Sequence, residues 1–272
     1  VRQYSINDLL EVMMRLRDPE RGCPWDLQQN FASIAPHTLE ECYELIDAIE
    51  RGDMPQVREE LGDVLFQVIF YAQLGREQEL FSFDDLVHNL VEKLLRRHPH
   101  VFPNGQLSDA GNGSNNAIAV EQVNHNWEQI KQQERHAKSQ RSVLDDVPAA
   151  LPALSRAAKL QKRAARVGFD WENWRDVLTK MREEQQELEE AIVSENRAHI
   201  EDELGDLLFC CVNLARFLDV DPEKALRACN RKFERRFGFI ERSLAEQGRE
   251  PQQATLEEME ALWQLAKVKE RE

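Results

Sequence analysis

The chain has 272 residues, 42% of them hydrophobic, which suffices for one large domain or two ordinary ones and argues against global disorder. Its 50 acidic side chains outweigh 35 basic ones, and the net charge of −15 argues against a protein that coats DNA or RNA through a basic face. Five cysteines (Cys23, Cys42, Cys210, Cys211, Cys229) form no C-x-x-C pair, and the longest apolar uncharged run, Val64 to Gly75, has 12 residues, too short to span a bilayer. The opening VRQYSINDLL has no signal-peptide pattern. The expectation is a cytoplasmic protein with neither a membrane nor a nucleic acid as partner.

In chain order, Cys23-Pro24-Trp25-Asp26 predicts a turn with a buried tryptophan. Leu39, Cys42, Leu45, Ile46 and Ile49 recur at helical spacing. A second helix carries Glu60 and Asp63 among Val64, Phe70 and Tyr71. EKLLRR (92–97) continues the helical pattern, and RHPHVF stops it. NGQLSDAGNGSNN (104–116) reads as a flexible loop, after which Trp127 and Lys131 share a helical face.

The chain then repeats itself. LEECYELIDAI (39–49) returns as REEQQELEEAI (182–192), EELGDVLF (59–66) as DELGDLLF (202–209), EKLLRR as RKFERR (231–236), and WEQIK (127–131) as WQLAK (263–267). The offsets are 143, 143, 139 and 136 residues, in one order, which means duplication. The polar stretch 135–152, punctuated by Pro148 and Pro152, predicts a linker between a domain over 1–134 and another over 153–272. In the second half EQGREPQQA (246–254) makes the connection that 104–116 makes in the first, and Thr255 with Glu258 is a capping box opening the last helix. No stretch alternates long enough for a sheet. The expected fold is all-α, two tandem helical bundles.

Each half presents two acidic faces. Glu40, Glu41 and Glu44 are matched by Glu183, Glu184 and Glu187; Glu60 with Asp63 is matched by Glu203 with Asp206. Positions three or four apart share a helical face. Glu203 and Asp206 sit on a helix whose other positions are Leu204, Leu207, Leu208, Phe209 and Cys211, apolar nearly all round. A carboxylate facing a bundle interior costs several kcal/mol unless compensated, so four or five together demand a cation. All-oxygen ligands favour magnesium or manganese, and the absence of Glu-x-x-His or Cys/His sets disfavours di-iron and zinc. The bland alternative is a solvated acidic face, which fits Glu40 or Glu183 singly but not the repeated pattern.

Basic and aromatic groups follow both acidic faces. Lys232 and Arg236 are four apart, as are Lys93 and Arg97; Trp263 and Lys267 are paired like Trp127 and Lys131. An aromatic ring beside a lysine suits a base next to a phosphate, although a surface charge run and a core tryptophan would look the same. The vicinal Cys210 and Cys211 read as core, and there is no phosphate-binding glycine loop.

E-E-x-x-E, then E-x-x-D, K-F-x-x-R-F and a late tryptophan together resemble the MazG family of nucleoside triphosphate pyrophosphohydrolases, and RGCPWD (21–26) and VGFDW (167–171) extend the resemblance to its two-domain, full-length type. The resemblance implies Mg²⁺-dependent cleavage of nucleoside triphosphates, and of their deoxy forms, to monophosphate and pyrophosphate. It further implies a homodimer whose paired subunits complete the bundle, with the second half catalytic. By position it implies metal ligands Glu184, Glu187, Glu203 and Asp206, with Glu41, Glu44, Glu60 and Asp63 as a second, weaker metal site. Substrate contacts would come from Lys180, Lys232, Arg236, Trp263 and Lys267, with Glu184 and Asp206 also at the substrate. Glu183, Glu184 and Glu187 are the catalytic candidates, Glu183 as base. A lysine common in the family before E-x-x-D is His199 here.

A Mg-nucleotide-sensing module with little turnover is the alternative reading. Aligning the halves distinguishes them further: Lys180 faces His37, Asn230 faces Val91, and Asn213 faces Phe70. Each difference takes a polar or cationic group from the first half, so the second is expected to carry most turnover.

Overall fold

A computed structural model describes residues 3–109, positions 119, 120, 122, 123, 126, 127, 130 and 134, and residues 142–270. Among the described residues there are helices and no strand, in agreement with the all-α expectation. The chain divides into two compact units, residues 1–134 and 135–272. Part of the predicted loop (110–116), Lys131 and residues 135–141 of the predicted linker lie outside the described residues.

The first unit contains α1 (Ile6–Leu16), α2 (Pro24–Gln28), α3 (Phe31–Arg51), α4 (Met54–Glu77) and α5 (Phe83–Arg97). Polar caps set the starts: Ser5 with Asp8, Asn30 with Ser33, and Ser82 with Asp85 form reciprocal capping boxes. α3 and α4 pair along their length, and α1 lies on α4. Met13, Ile34, Ile69, Phe70 and Leu74 make the core, flanked by Phe31 and Tyr71. The Tyr71 ring stacks on Phe31 while its hydroxyl bonds Thr38 at 2.9 Å.

The second unit contains α6 (Ala153–Ala165), α7 (Trp174–Val193), α8 (Arg197–Phe217), α9 (Pro222–Ala245) and α10 (Leu256–Lys269). α7 pairs with α8, repeating the α3–α4 hairpin, and α9 pairs with α10. Thr255 and Glu258 cap α10 reciprocally, as the sequence predicts. The hairpin turns show the duplication at the level of one residue. Gly52 closes α3 with φ 74°, and at the matching place after α7 Glu195 takes φ 53°. Glycine adopts that left-handed conformation freely; a glutamate is strained in it.

Two expectations need correction. Trp25 is not buried in a turn: it is 51% exposed on the short helix α2, and the buried residue there is Asp26. Arg17 explains this, because its buried guanidinium donates to the Asp26 and Gln29 carbonyls and forks onto Glu77 at 2.6–3.1 Å. The segment is thus held by its backbone, and the exposed indole meets the His37 ring edge-on at 5.9 Å. The vicinal cysteines divide, Cys210 buried and Cys211 exposed, since adjacent helical positions point apart. The E-x-x-D helices also carry exposed apolar residues. Leu61, Leu65 and Val68 of α4, and Leu204, Leu208 and Phe209 of α8, are each 39–52% exposed. No described helix is long and apolar enough to cross a membrane.

Candidate active site

The α7–α8 hairpin brings two acidic faces together. Glu184 and Glu187 lie one turn apart on α7, and Glu203 lies near the start of α8. Carboxylate oxygens of the three lie within 4.8 Å of one another. The first unit builds the same trio from Glu41, Glu44 and Glu60, to the same closeness. Asp206 and Asp63, each one turn beyond the glutamate of its helix, are exposed and stand outside these trios.

The trios differ in what offsets their charge. In the second unit Glu184 is buried, and Lys180 reaches it at 2.7 Å while also meeting Glu183 at 2.7 Å. These two carboxylates raise the Lys180 pKa, so the ammonium stays charged. His199 meets Glu203 at 2.9 Å. Glu187 has no such partner; loss of hydration pushes its carboxyl above the ordinary range, Lys180 opposes the shift, and Glu184 and Glu203 add to it. In the first unit His37 stands where Lys180 does, but its ring lies 3.6 Å from Glu40, outside the trio. The amide of Gln56, matching His199, donates to Glu60 at 3.2 Å. Lost hydration raises both Glu41 and Glu44, with Asp63 the main neighbour acting on Glu41 and Glu60 on Glu44. Carboxylates this close disfavour one another's charged form when no cation is near.

The other candidates sit on α9 and α10. Lys232 is exposed. Arg236 is half-buried, with its guanidinium 5.4 Å from the Trp263 ring centre, and Phe233 packs on the same ring at 5.5 Å. Lys267 is half-buried one turn past Trp263, and Glu183 is exposed, turned to Lys180. The Asn213 carbonyl oxygen accepts from Arg216 at 2.7 Å. Of the three polar differences between the halves, Lys180 against His37 is the one with a visible electrostatic effect.

A further acidic residue escaped the sequence reading. Glu270, at the end of α10, accepts from Arg236 Nε at 2.8 Å and lies 2.8 Å from Nη2. In the first unit Glu134 takes Arg97 in the same way, with Arg96 at 2.7 Å, which draws the Glu134 pKa down to about 2. The signal was present, since Glu134 and Glu270 share the 136-residue offset of the two tryptophans. Their partners lie 34 to 38 residues away, beyond any helical periodicity.

Residues 29–102 and 174–237 each match the family model described as the MazG nucleotide pyrophosphohydrolase domain. The chain is 51% identical over 270 residues to a protein of Escherichia coli K12 named nucleoside triphosphate pyrophosphohydrolase, covering 98% of both chains. It is 42% identical to a Thermotoga maritima protein named nucleoside triphosphate pyrophosphohydrolase/pyrophosphatase MazG, covering 96% of this chain and 94% of that one. A longer Bacillus subtilis protein, YabN, is 45% identical over 98% of this chain, which spans 53% of it.

Proposed function

The chain belongs to the MazG nucleotide pyrophosphohydrolase family, and from that premise we propose that it is a magnesium-dependent enzyme hydrolysing nucleoside triphosphates and their deoxy forms to monophosphate and pyrophosphate at the acidic trio of its second unit. The observation carrying this reading is the meeting of Glu184, Glu187 and Glu203 within 4.8 Å, with Lys180 already drawn to the buried member. Three carboxylates without a nitrogen or sulfur donor suit Mg²⁺, with Mn²⁺ as substitute, and Asp206, one turn past Glu203 on α8, is the fourth ligand of this reading although it stands outside the trio. When bound, the metal supplies positive charge at the phosphate oxygens.

The chain's own groups supply the rest. Lys180, Lys232 and Arg236 offset the triphosphate charge, Trp263 offers a face to the base, and Lys267 stands one turn from it. Water attacks the α-phosphorus and gives its proton to a carboxylate, for which Glu183 is the candidate. The bond from the α-phosphorus to the bridging oxygen breaks, and pyrophosphate leaves with the electron pair.

The exposed apolar faces of α4 and α8 support a homodimer in which a second copy covers them. The free cysteines support a reducing, cytoplasmic setting. A second reading applies to the first unit: its trio has no lysine, which favours nucleotide or metal binding with little turnover.

Chromatography of products tests the assignment. Incubation with Mg²⁺ and each triphosphate should yield monophosphate and pyrophosphate. Diphosphate and orthophosphate as main products would discard it.

A further inference from the structure

The glutamate paired with an arginine in each unit, Glu270 with Arg236 and Glu134 with Arg97, has no role in the chemistry above, yet both copies keep it. Glu270 and Trp263 lie seven residues apart at the C-terminal end of α10, about two turns, and therefore on one face. Both touch the same guanidinium. Glu270 takes its Nε and Nη2 through one carboxylate oxygen, and Trp263 lies beside it at 5.4 Å. The other Glu270 oxygen lies 3.4 Å from Arg235. An arginine side chain at a helix surface ordinarily samples many rotamers, and fixing it costs free energy at the moment of binding. Here two groups on α10 hold it beforehand.

The edge of the guanidinium that is used matters. A carboxylate on the Nε–Nη2 edge leaves Nη1 to meet an anion. Had Glu270 taken both terminal nitrogens, the fork that suits phosphate would be blocked. The first unit repeats the pattern, with Glu134 on Nε and Nη2 of Arg97.

We propose that Glu270 is a positioning residue for the nucleotide site: it holds Arg236 by its Nε–Nη2 edge, so that the remaining nitrogen is presented to the triphosphate beside Trp263. The inference rests on Arg236 being a phosphate contact. It assigns to α10 a second task besides stacking, that of aiming a cation on the neighbouring helix.

A double-mutant cycle in the full-length protein tests it, measuring KM and kcat for a nucleoside triphosphate with Mg²⁺ in wild type, Arg236→Ala, Glu270→Ala and the double variant. Arg236→Ala should raise KM. Glu270→Ala should raise KM about tenfold, the loss of roughly one charge-assisted hydrogen bond, with a smaller change in kcat. In the double variant the Glu270 change should add nothing. Should Glu270→Ala fail to fold, Glu270→Gln, which keeps an acceptor oxygen, carries the same cycle. An unchanged KM in Glu270→Ala, with a raised one in Arg236→Ala, overturns the positioning role and leaves Arg236 as a phosphate contact. Additive effects, with kcat and thermal stability falling together, would mean that Glu270 only fastens α10. An unchanged KM in Arg236→Ala removes the premise itself.

Discussion

Lys180 meets Glu184 at 2.7 Å across one turn of α7, and Glu184 is the buried member of the second acidic trio. The lysine therefore occupies, electrostatically, the place a metal ion would take.

Removing that cation exposes its effect. Lys180→Ala leaves Glu184 buried without a counter-ion and should destabilise the metal-free protein by about 1–3 kcal/mol. Mg²⁺ should then stabilise the variant more than the wild type, because the ion restores what the lysine supplied. Thermal melts with EDTA and with Mg²⁺ measure both; an equal Mg²⁺ increment in the two proteins would contradict this account.

The raised carboxyl of Glu187 sets a pH dependence. A group whose folded pKa lies above its unfolded one binds more protons in the native state between those values. Metal-free stability from this group is therefore greatest at low pH and falls as pH rises through that window. Metal binding runs the other way, since it needs the ionised form and displaces the proton. Calorimetric Mg²⁺ titrations should show affinity rising with pH from 4.5 upward, with proton release that fades at neutral pH. Affinity independent of pH across that range would refute the shift.

The two halves should be unequal. Glu187→Ala removes a member of the trio that Lys180 supports, whereas Glu44→Ala acts on a trio without a lysine. The first should lower turnover by two or more orders of magnitude and the second by less than about threefold, on the scale of lost electrostatic stabilisation. The opposite ranking in otherwise identical protein would move the active site to the first unit.

The exposed face of α8 predicts assembly. Leu208 is 50% exposed and Leu204, one turn earlier, 45%. Leu208→Glu should convert a dimer to monomers in sedimentation velocity and lower activity with it. A variant that sediments like wild type would show that this face is not the contact.

The strained turn after α7 offers a stabilising change. Glu195→Gly gives that position the residue that Gly52 supplies in the first copy, and should raise stability by about 0.5–1 kcal/mol in thermal unfolding. A loss of stability would mean that the Glu195 side chain makes compensating contacts.

The fold class was legible because caps and helical spacing are local. Asn, Ser and Thr caps lie beside the helices they open, and the repeat located the acidic faces twice. Trp25 misled because its exposure depends on Arg17, eight residues earlier and just past the end of α1, gripping the backbone of the segment. The apolar residues of α8 were legible as apolar but not as exposed, since hydrophobicity does not say whether the same chain or another covers it. The trios emerged only partly, because a spacing of three puts Asp206 on the face of Glu203 without saying which reaches Glu184.

The uncovered face of α4 also bears on how the chain is made. Leu61, Leu65 and Val68 are complete once the first unit has emerged, while residues 135–272 are still to be translated. At ribosomal rates that interval lasts about 10 s or more. A first unit that folds within that interval would carry these apolar side chains exposed before any of the second unit exists to accompany it.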